Sequence, residues 1–361
     1  FMFQTKQIFN KCKSLLVLGL VMLLSMNAKL FAQPTQLGTQ TVNGAYLSYP
    51  LTDLGIFRQA RVQATSSALS GTRNWEFYEA PFDYDPAWRP YTGGLTLAGY
   101  NMNIFPTAGT AAALFNTGFG GSAGLMPTIA NGYYYTFNVT EYSTPGVPQN
   151  EYMGVVETSY DPVVITSVVQ SPAAGAVYPE NSVYVTVTTA AIPSPGENVF
   201  VRYSTSVNFL TSSLLEVTMV GNTGIVEIPC AGASTTIYYY AYTSNRTGTA
   251  ILTDVGVTGQ RAHDMSTLNV NNNAGPNYSY TVLPSIGFCG DYYVPSVCYP
   301  TINSFVNALN SGSVSCDVVC YVAAGHSETA PVGGINLTQT GTAANTITFQ
   351  KIGAGANPVI N

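Results

Sequence analysis

The sequence predicts an all-β protein: two β-sandwich-like domains followed by the capped start of a parallel β-helix. Three observations carry that expectation. Only 8% of the 361 residues are charged, against roughly a quarter in an ordinary soluble domain. Glycine and proline, 34 and 21 residues, punctuate runs rich in β-branched and aromatic side chains, and 25 tyrosines fall among them. Those runs recur at the short spacing of strands joined by turns, and only the stretch 300–310 has convincing helical periodicity. The length suits about two to three domains of roughly 100 to 200 residues each.

Residues 1–32 read as a secretory signal peptide. Lys6, Lys11 and Lys13 precede the apolar run 15–26, and the small residues Ala28 and Ala32 follow it. The run is too short for a stable membrane span, so cleavage is expected after Ala32, with Ala28 the second choice. Cys12 precedes the apolar run and is therefore not placed as the acylated cysteine of a lipoprotein. Removing the leader leaves eight basic against eighteen acidic side chains, a net charge of −10. Such a surface repels nucleic acid, whose binding needs clustered Lys and Arg. No later stretch reaches the roughly 18 apolar residues of a span. The expected location is extracellular, secreted or at the cell surface.

Residues 33–161 read as an N-terminal β-rich domain, with strand-forming runs at 45–49, 61–64, 75–78 and 133–140. The segment 118–124 (GFGGSAG) has the composition of a phosphate-cradling loop. Leu125, Met126 and Pro127 follow it where a helix would be needed to aim the amides, so it reads as a turn. Residues 162–283 read as an immunoglobulin-like or fibronectin-III-like sandwich, with strands expected at 163–169, 182–188, 199–204, 214–219, 224–228, 235–243 and 277–282. Val199, Val201 and Tyr203 alternate with Phe200 and Arg202, as a strand with two different faces requires. The stretch 245–275 is long for a sandwich loop, and its Asn269, Asn271, Asn272 and Asn273 are expected to be exposed.

Residues 284–361 follow another pattern. Ile302, Phe305, Val306 and Leu309 recur at helical spacing behind Pro300, a residue suited to the start of a helix. Short apolar strands follow at 318–322, 335–337, 347–349 and 359–360. Spacings of about a dozen residues suit the faces of a parallel β-helix. A solenoid needs several coils to bury its stack and about one precedes Asn361, so the reading frame is expected to continue; Phe1 ahead of Met2 points the same way.

Five cysteines follow the leader: Cys230, Cys289, Cys298, Cys316 and Cys320. In an exported chain these suggest disulfides, with one residue left over. The four clustered cysteines, Cys289, Cys298, Cys316 and Cys320, are expected to pair, leaving Cys230 free or linked outside the chain. Cys289 to Cys298 with Cys316 to Cys320 is the local solution, and crossed pairings stay open. A zinc site competes, but the C-x8-C and C-x3-C spacings lack the paired C-x2-C knuckles of such sites.

The stretch CYVAAGHSETAPVGGINLTQTGTAANTITFQKIGAGANPVI, with YPTINSFVNALNSGSVS before it, is similar to the start of a right-handed β-helix of the pectin-lyase-like type. The stretch ENVFVRYSTSVNFLTSSLLEVTMVGNTGIVEIPCAGASTTIYYYAYTS is similar to the fibronectin-like modules that precede such solenoids. On these residues the chain resembles large secreted surface proteins of the Bacteroidota phylum, closely over 162–361 and loosely over 33–161. The resemblance implies that the helix caps the open end of the solenoid and shields its edge strands. It also implies export by the type IX pathway, which reads a C-terminal sorting domain.

The densest chemistry is at Trp75, Glu76, Glu79, Asp83, Asp85, Trp88 and Tyr91. Aromatic faces stack on sugar rings, and carboxylates hold hydroxyls or bind Ca²⁺ through hard oxygen ligands, so a glycan or Ca²⁺ site is the sharpest binding expectation here. The structural reading puts the tryptophans in a core and Asp83 and Asp85 in turns. Glycoside hydrolysis needs two acids held about 5 to 10 Å apart, and no second acidic cluster supports it. His326, Ser327 and Glu328 suggest a serine hydrolase, but neighbours on a strand face opposite ways and the Gly-x-Ser-x-Gly elbow is missing. His263 beside Asp264 reads as a surface histidine. The function expected is therefore non-catalytic adhesion or glycan binding. The alternative is a polysaccharide lyase or hydrolase whose active site lies on coils beyond residue 361.

Overall fold

The computed structural model describes residues 36–40, 46–64, 74–78, 87–91, 104–105, 112–116, 124–125, 131–141, 151–258 and 260–361. The expected leader, residues 1–32, lies outside them. The fold is all-β, with multiple antiparallel sheets and, among the described residues, three short α-helices. It divides into two compact units, residues 1–161 with 249–267, and residues 162–248 with 268–361.

Among the described residues, the strands of the first unit form one eleven-stranded sheet. Its strands are β1 (Gln36–Gln40), β2 (Tyr46–Pro50), β3 (Thr52–Asp53), β4 (Phe57–Gln63), β5 (Asn74–Tyr78), β6 (Ala87–Tyr91), β7 (Ile104–Phe105), β8 (Ala112–Asn116), β9 (Gly124–Leu125), β10 (Tyr134–Glu141) and β11 (Glu151–Thr158). The order is β2-β1-β5-β6-β8-β11-β10-β4-β3, with β7 on β11 and β9 on β5. Leu37 of β1 and Leu47 of β2 pack into the same core as Ala60, Val62, Tyr135, Phe137 and Val155, so strands near the two ends of the order share one apolar interior.

Residues 248–265 correct the expectation of a long loop over 245–275. They form α1 (Gly248–Thr258) and α2 (Arg261–Met265), and His263 and Asp264 of α2 are fully buried rather than at the surface. Polar anchors explain this. Asn138 of β10, itself buried, donates to the carbonyls of Met265 (3.1 Å) and Thr267 (2.7 Å), and Gln59 of β4 donates to the Asn138 side chain (2.9 Å). Gly154 of β11 makes room: a Cβ there would lie 2.6 Å from the Met265 Cβ and carbonyl oxygen.

The second unit begins with a β-sandwich. One sheet is β12 (Ile165–Ser171), β13 (Val183–Thr189), β17 (Thr223–Ile228) and β16 (Thr218–Val220); the other is β15 (Ser213–Glu216), β14 (Asn198–Ser204), β18 (Thr236–Ser244) and β19 (Asn269–Asn271), with β20 (Tyr278–Thr281) also on β18. Val183, Val185 and Val187 alternate into the core opposite Val199, Val201, Tyr239 and Ala241. The single strand expected at 214–219 splits at Val217, which is buried between β15 and β16, so the chain crosses from one sheet to the other there.

Both faces of β14 are covered. Arg202 is fully buried; it donates to Ser212 Oγ, to the Tyr240 hydroxyl (both 2.7 Å) and to the Phe209 carbonyl (3.0 Å), and its guanidinium lies 5.2 Å from the Phe209 ring centre. Among the asparagines expected to be exposed, Asn272 is buried, while Asn269 and Asn271 are half-buried and donate to the Pro162 and Ile165 carbonyls.

The chain then forms β21 (Phe288–Val294), α3 (Ile302–Ser311), β22 (Val314–Ala323), β23 (Ser327–Glu328), β24 (Ile347–Ile352) and β25 (Val359–Ile360). β21, β22 and β24 pair in parallel, as do β23 and β25. Helix α3 buries the expected Ile302, Phe305, Val306 and Leu309. Its N-cap is Thr301 rather than Pro300, with Ser304 completing a capping box that satisfies two orphan amides. Phe305 meets Phe288, Tyr292, Tyr299 and Phe349 ring to ring.

The structure corrects the local disulfide expectation. Cys289 bonds to Cys316, and Cys230, Cys298 and Cys320 are free. Cys316 and Cys320 lie on the same strand, where four residues span roughly 13 Å, well beyond the roughly 7 Å limit between bridged Cα atoms. Parallel pairing instead brings β21 alongside β22, with a register shift between Phe288 and Gly290, where Cys289 sits.

Candidate functional site

The expected cluster at Trp75–Tyr91 is only partly described. Glu79, Asp83 and Asp85 lie outside the described residues, as do 118–123 of the glycine-rich segment. The backbone register pairs Phe77 with Trp88 and Tyr78 with Ala87.

His326 and Glu328, two apart, do meet: His326 Nε2 donates to the Glu328 carboxylate at 2.8 Å. Ser327 takes no part in that pair and instead accepts from the Asn361 side chain. The Glu328 side chain is 5% exposed and accepts the backbone amides of Ile302 (2.6 Å) and Asn303 (3.0 Å). It thus closes the N-terminus of α3, where orphan amides and the helix dipole favour an anion. Burial alone would raise its pKa, but the bonds from His326 and the two amides outweigh burial and hold the carboxyl below its usual range. This geometry fixes a helix and leaves no nucleophile aligned with a base.

A different cavity, of about 170 Å³, combines aromatic walls with a buried carboxylate. Ser171, Glu180 and Tyr184 from the sandwich and Asp291, Tyr292, Tyr293 and Tyr299 from the following segment line it. Glu180 is 9% exposed. Its Oε1 accepts from Ser285 Oγ and its backbone carbonyl from the Tyr299 hydroxyl (3.1 Å), while its Oε2 is buried with no hydrogen-bond partner. A buried oxygen left without a donor is costly, so it marks a place where a ligand donor would be welcome.

The walls suit that role. Tyr293 is 40% exposed and stacks on Tyr321 at 5.4 Å, presenting an aromatic surface at the rim. Burial pushes the Tyr292 and Tyr299 hydroxyls above the usual phenol range; at Tyr184 burial does the same, reinforced by the nearby Glu227 charge. All three therefore stay neutral donors at physiological pH. The sequence did not reveal this site, because Glu180 and Asp291 are over a hundred residues apart and each reads alone as a loop or strand acid.

Among the described residues, no group of three or more His, Cys, Asp or Glu is placed to hold a metal ion, and no helix is long and apolar enough to cross a membrane. No protein-family model and no curated protein matches the chain.

Proposed function

We propose that the protein is a secreted or surface-displayed, non-catalytic binding protein of the adhesion type, and that its Glu180 cavity takes the edge of a neutral saccharide. The observation that carries this reading is the unpartnered, buried Glu180 Oε2 beside tyrosine rings. A sugar hydroxyl supplies the missing donor, and the apolar face of a sugar ring matches the exposed Tyr293. The cavity is smaller than the roughly 300 Å³ at the low end of drug-sized sites, so it suits one ring or a chain end. The cavity wall holds two acidic residues, Glu180 and Asp291, and no Lys or Arg, a lining that disfavours uronates and other anionic sugars. In this reading the parallel ladders β21-β22-β24 and β23-β25 are the first turn of a right-handed β-helix capped by α3, and the sandwich is a fibronectin-III-like module.

Ca²⁺ is the weaker ligand for this cavity. It needs about six to eight oxygen ligands, and two carboxylates with a few hydroxyls supply a partial set. Titration calorimetry of the full chain against a panel of neutral and uronate oligosaccharides, with and without Ca²⁺, tests the reading. The expected result is Ca²⁺-independent binding of a neutral saccharide, weakened at least tenfold by Glu180→Gln and by Tyr293→Ala. Binding that survives both variants and fails in Trp75→Ala or Trp88→Ala would move the site to the first sheet.

A further inference from the structure

Cys230 and Cys298 are 68 residues apart in the chain, yet the Cys230 amide donates to Cys298 Sγ at 3.0 Å. The two thiols also share a side-chain hydrogen bond. Cys230 lies just after β17 of the sandwich, and Cys298 lies between β21 and α3. Neighbouring bonds hold these two stretches together independently of sulfur: the Val297 amide donates to Glu227 Oε1 (3.2 Å), and the Tyr299 hydroxyl donates to the Glu180 carbonyl (3.1 Å). Both cysteines are half-buried, so a small oxidant can reach them.

We propose that Cys230 and Cys298 are a second disulfide site, which in an oxidising compartment staples the sandwich to the helix-capped segment. The oxidant is another disulfide, carried by a small thiol compound or a thiol oxidoreductase. The Cys230 thiolate attacks one sulfur of that disulfide, forming a mixed disulfide and releasing the first thiolate. Cys298 then gives up its proton and attacks the Cys230 sulfur, expelling the second thiolate. The two protein thiols lose two electrons and two protons, and the oxidant leaves as two thiols.

The electrostatics fit that order. The hydrogen bond from Cys298 lowers the Cys230 thiol below its ordinary value, and the same bond, with burial, raises Cys298. Cys230 therefore ionises first, and the thiolate is the attacking form. The pairing also resolves the odd count: two bridges account for four cysteines, and Cys320 remains, buried and with its thiol pushed up to about 12 by that burial. The inference does not depend on the saccharide reading.

The test is disulfide mapping of the full chain after exchange with oxidised glutathione at pH 8. Free thiols are alkylated in denaturant without reductant, and the digest is read by mass spectrometry. The expected result is a peptide linking Cys230 to Cys298 beside the Cys289–Cys316 link, with Cys320 alkylated. The wild-type chain suffices, so no variant has to fold. Alkylation of both Cys230 and Cys298 while Cys289–Cys316 is linked would overturn the proposal, as would a link from either residue to any other cysteine or a stable glutathione adduct on either.

Discussion

Helices α2 and α3 each pack against a sheet of their own unit, and they are held there by opposite means. Helix α3 presents four apolar side chains at i, i+3, i+4 and i+7, and its Phe305 sits among aromatic rings. Helix α2 is gripped by the side chains of Asn138 and Gln59 and admitted by the missing side chain of Gly154. An apolar stripe is written in local sequence. A polar anchor belongs to a residue over a hundred positions away, so only the first kind of helix announces itself.

Breaking the apolar anchor should cost most. Phe305→Ala removes a fully buried ring, and the lost transfer energy with the cavity left behind amounts to about 4 kcal/mol, read as a lowered denaturant midpoint. Phe305→Leu, which keeps much of the volume, should cost less than half of that. The polar anchor should come next. Asn138→Ala leaves the Met265 and Thr267 carbonyls without this donor, a loss of about 2 kcal/mol, and hydrogen exchange should accelerate in residues 260–267 before it does in β10. If exchange there is unchanged, α2 is held by packing alone and the contrast between the helices fails.

The capping carboxylate of α3 gives the smallest effect and a pH signature. Glu328→Gln should cost about 1 kcal/mol at neutral pH, the scale of one hydrogen bond. The folded-state pKa of Glu328 is depressed, so its contribution is fully present above the unfolded carboxylate range near about 4.3 and is lost as pH falls through the lower folded value. The gap between wild type and variant should therefore close in acid. A gap that widens below pH 4 would contradict the capping role.

The legibility of the rest follows the same division between local pattern and distant partner. Strand alternation made β13, β14, β17 and β18 readable because Val183, Val185, Val187, Val199 and Val201 repeat with period two. It failed at Val217, where one apolar run feeds two sheets, and at 245–275, where β-branched residues hide α1 and the asparagines turn inward to backbone carbonyls. Tryptophans and acids draw attention to residues 75–91, where Glu79, Asp83 and Asp85 lie outside the described residues. The Glu180 cavity and the Cys289–Cys316 bond were not readable, since both depend on β21 lying beside elements distant in sequence.

The central claim, that the Glu180 cavity receives a saccharide, is tested most directly by following the ring resonances of Tyr184, Tyr292, Tyr293 and Tyr299 by NMR during titration with the neutral oligosaccharide that binds most tightly. The account predicts saturable shifts concentrated on Tyr293 and Tyr184 in the wild-type chain, and their loss in Glu180→Gln at unchanged thermal stability. Saturable binding that leaves all four tyrosines unmoved would contradict it.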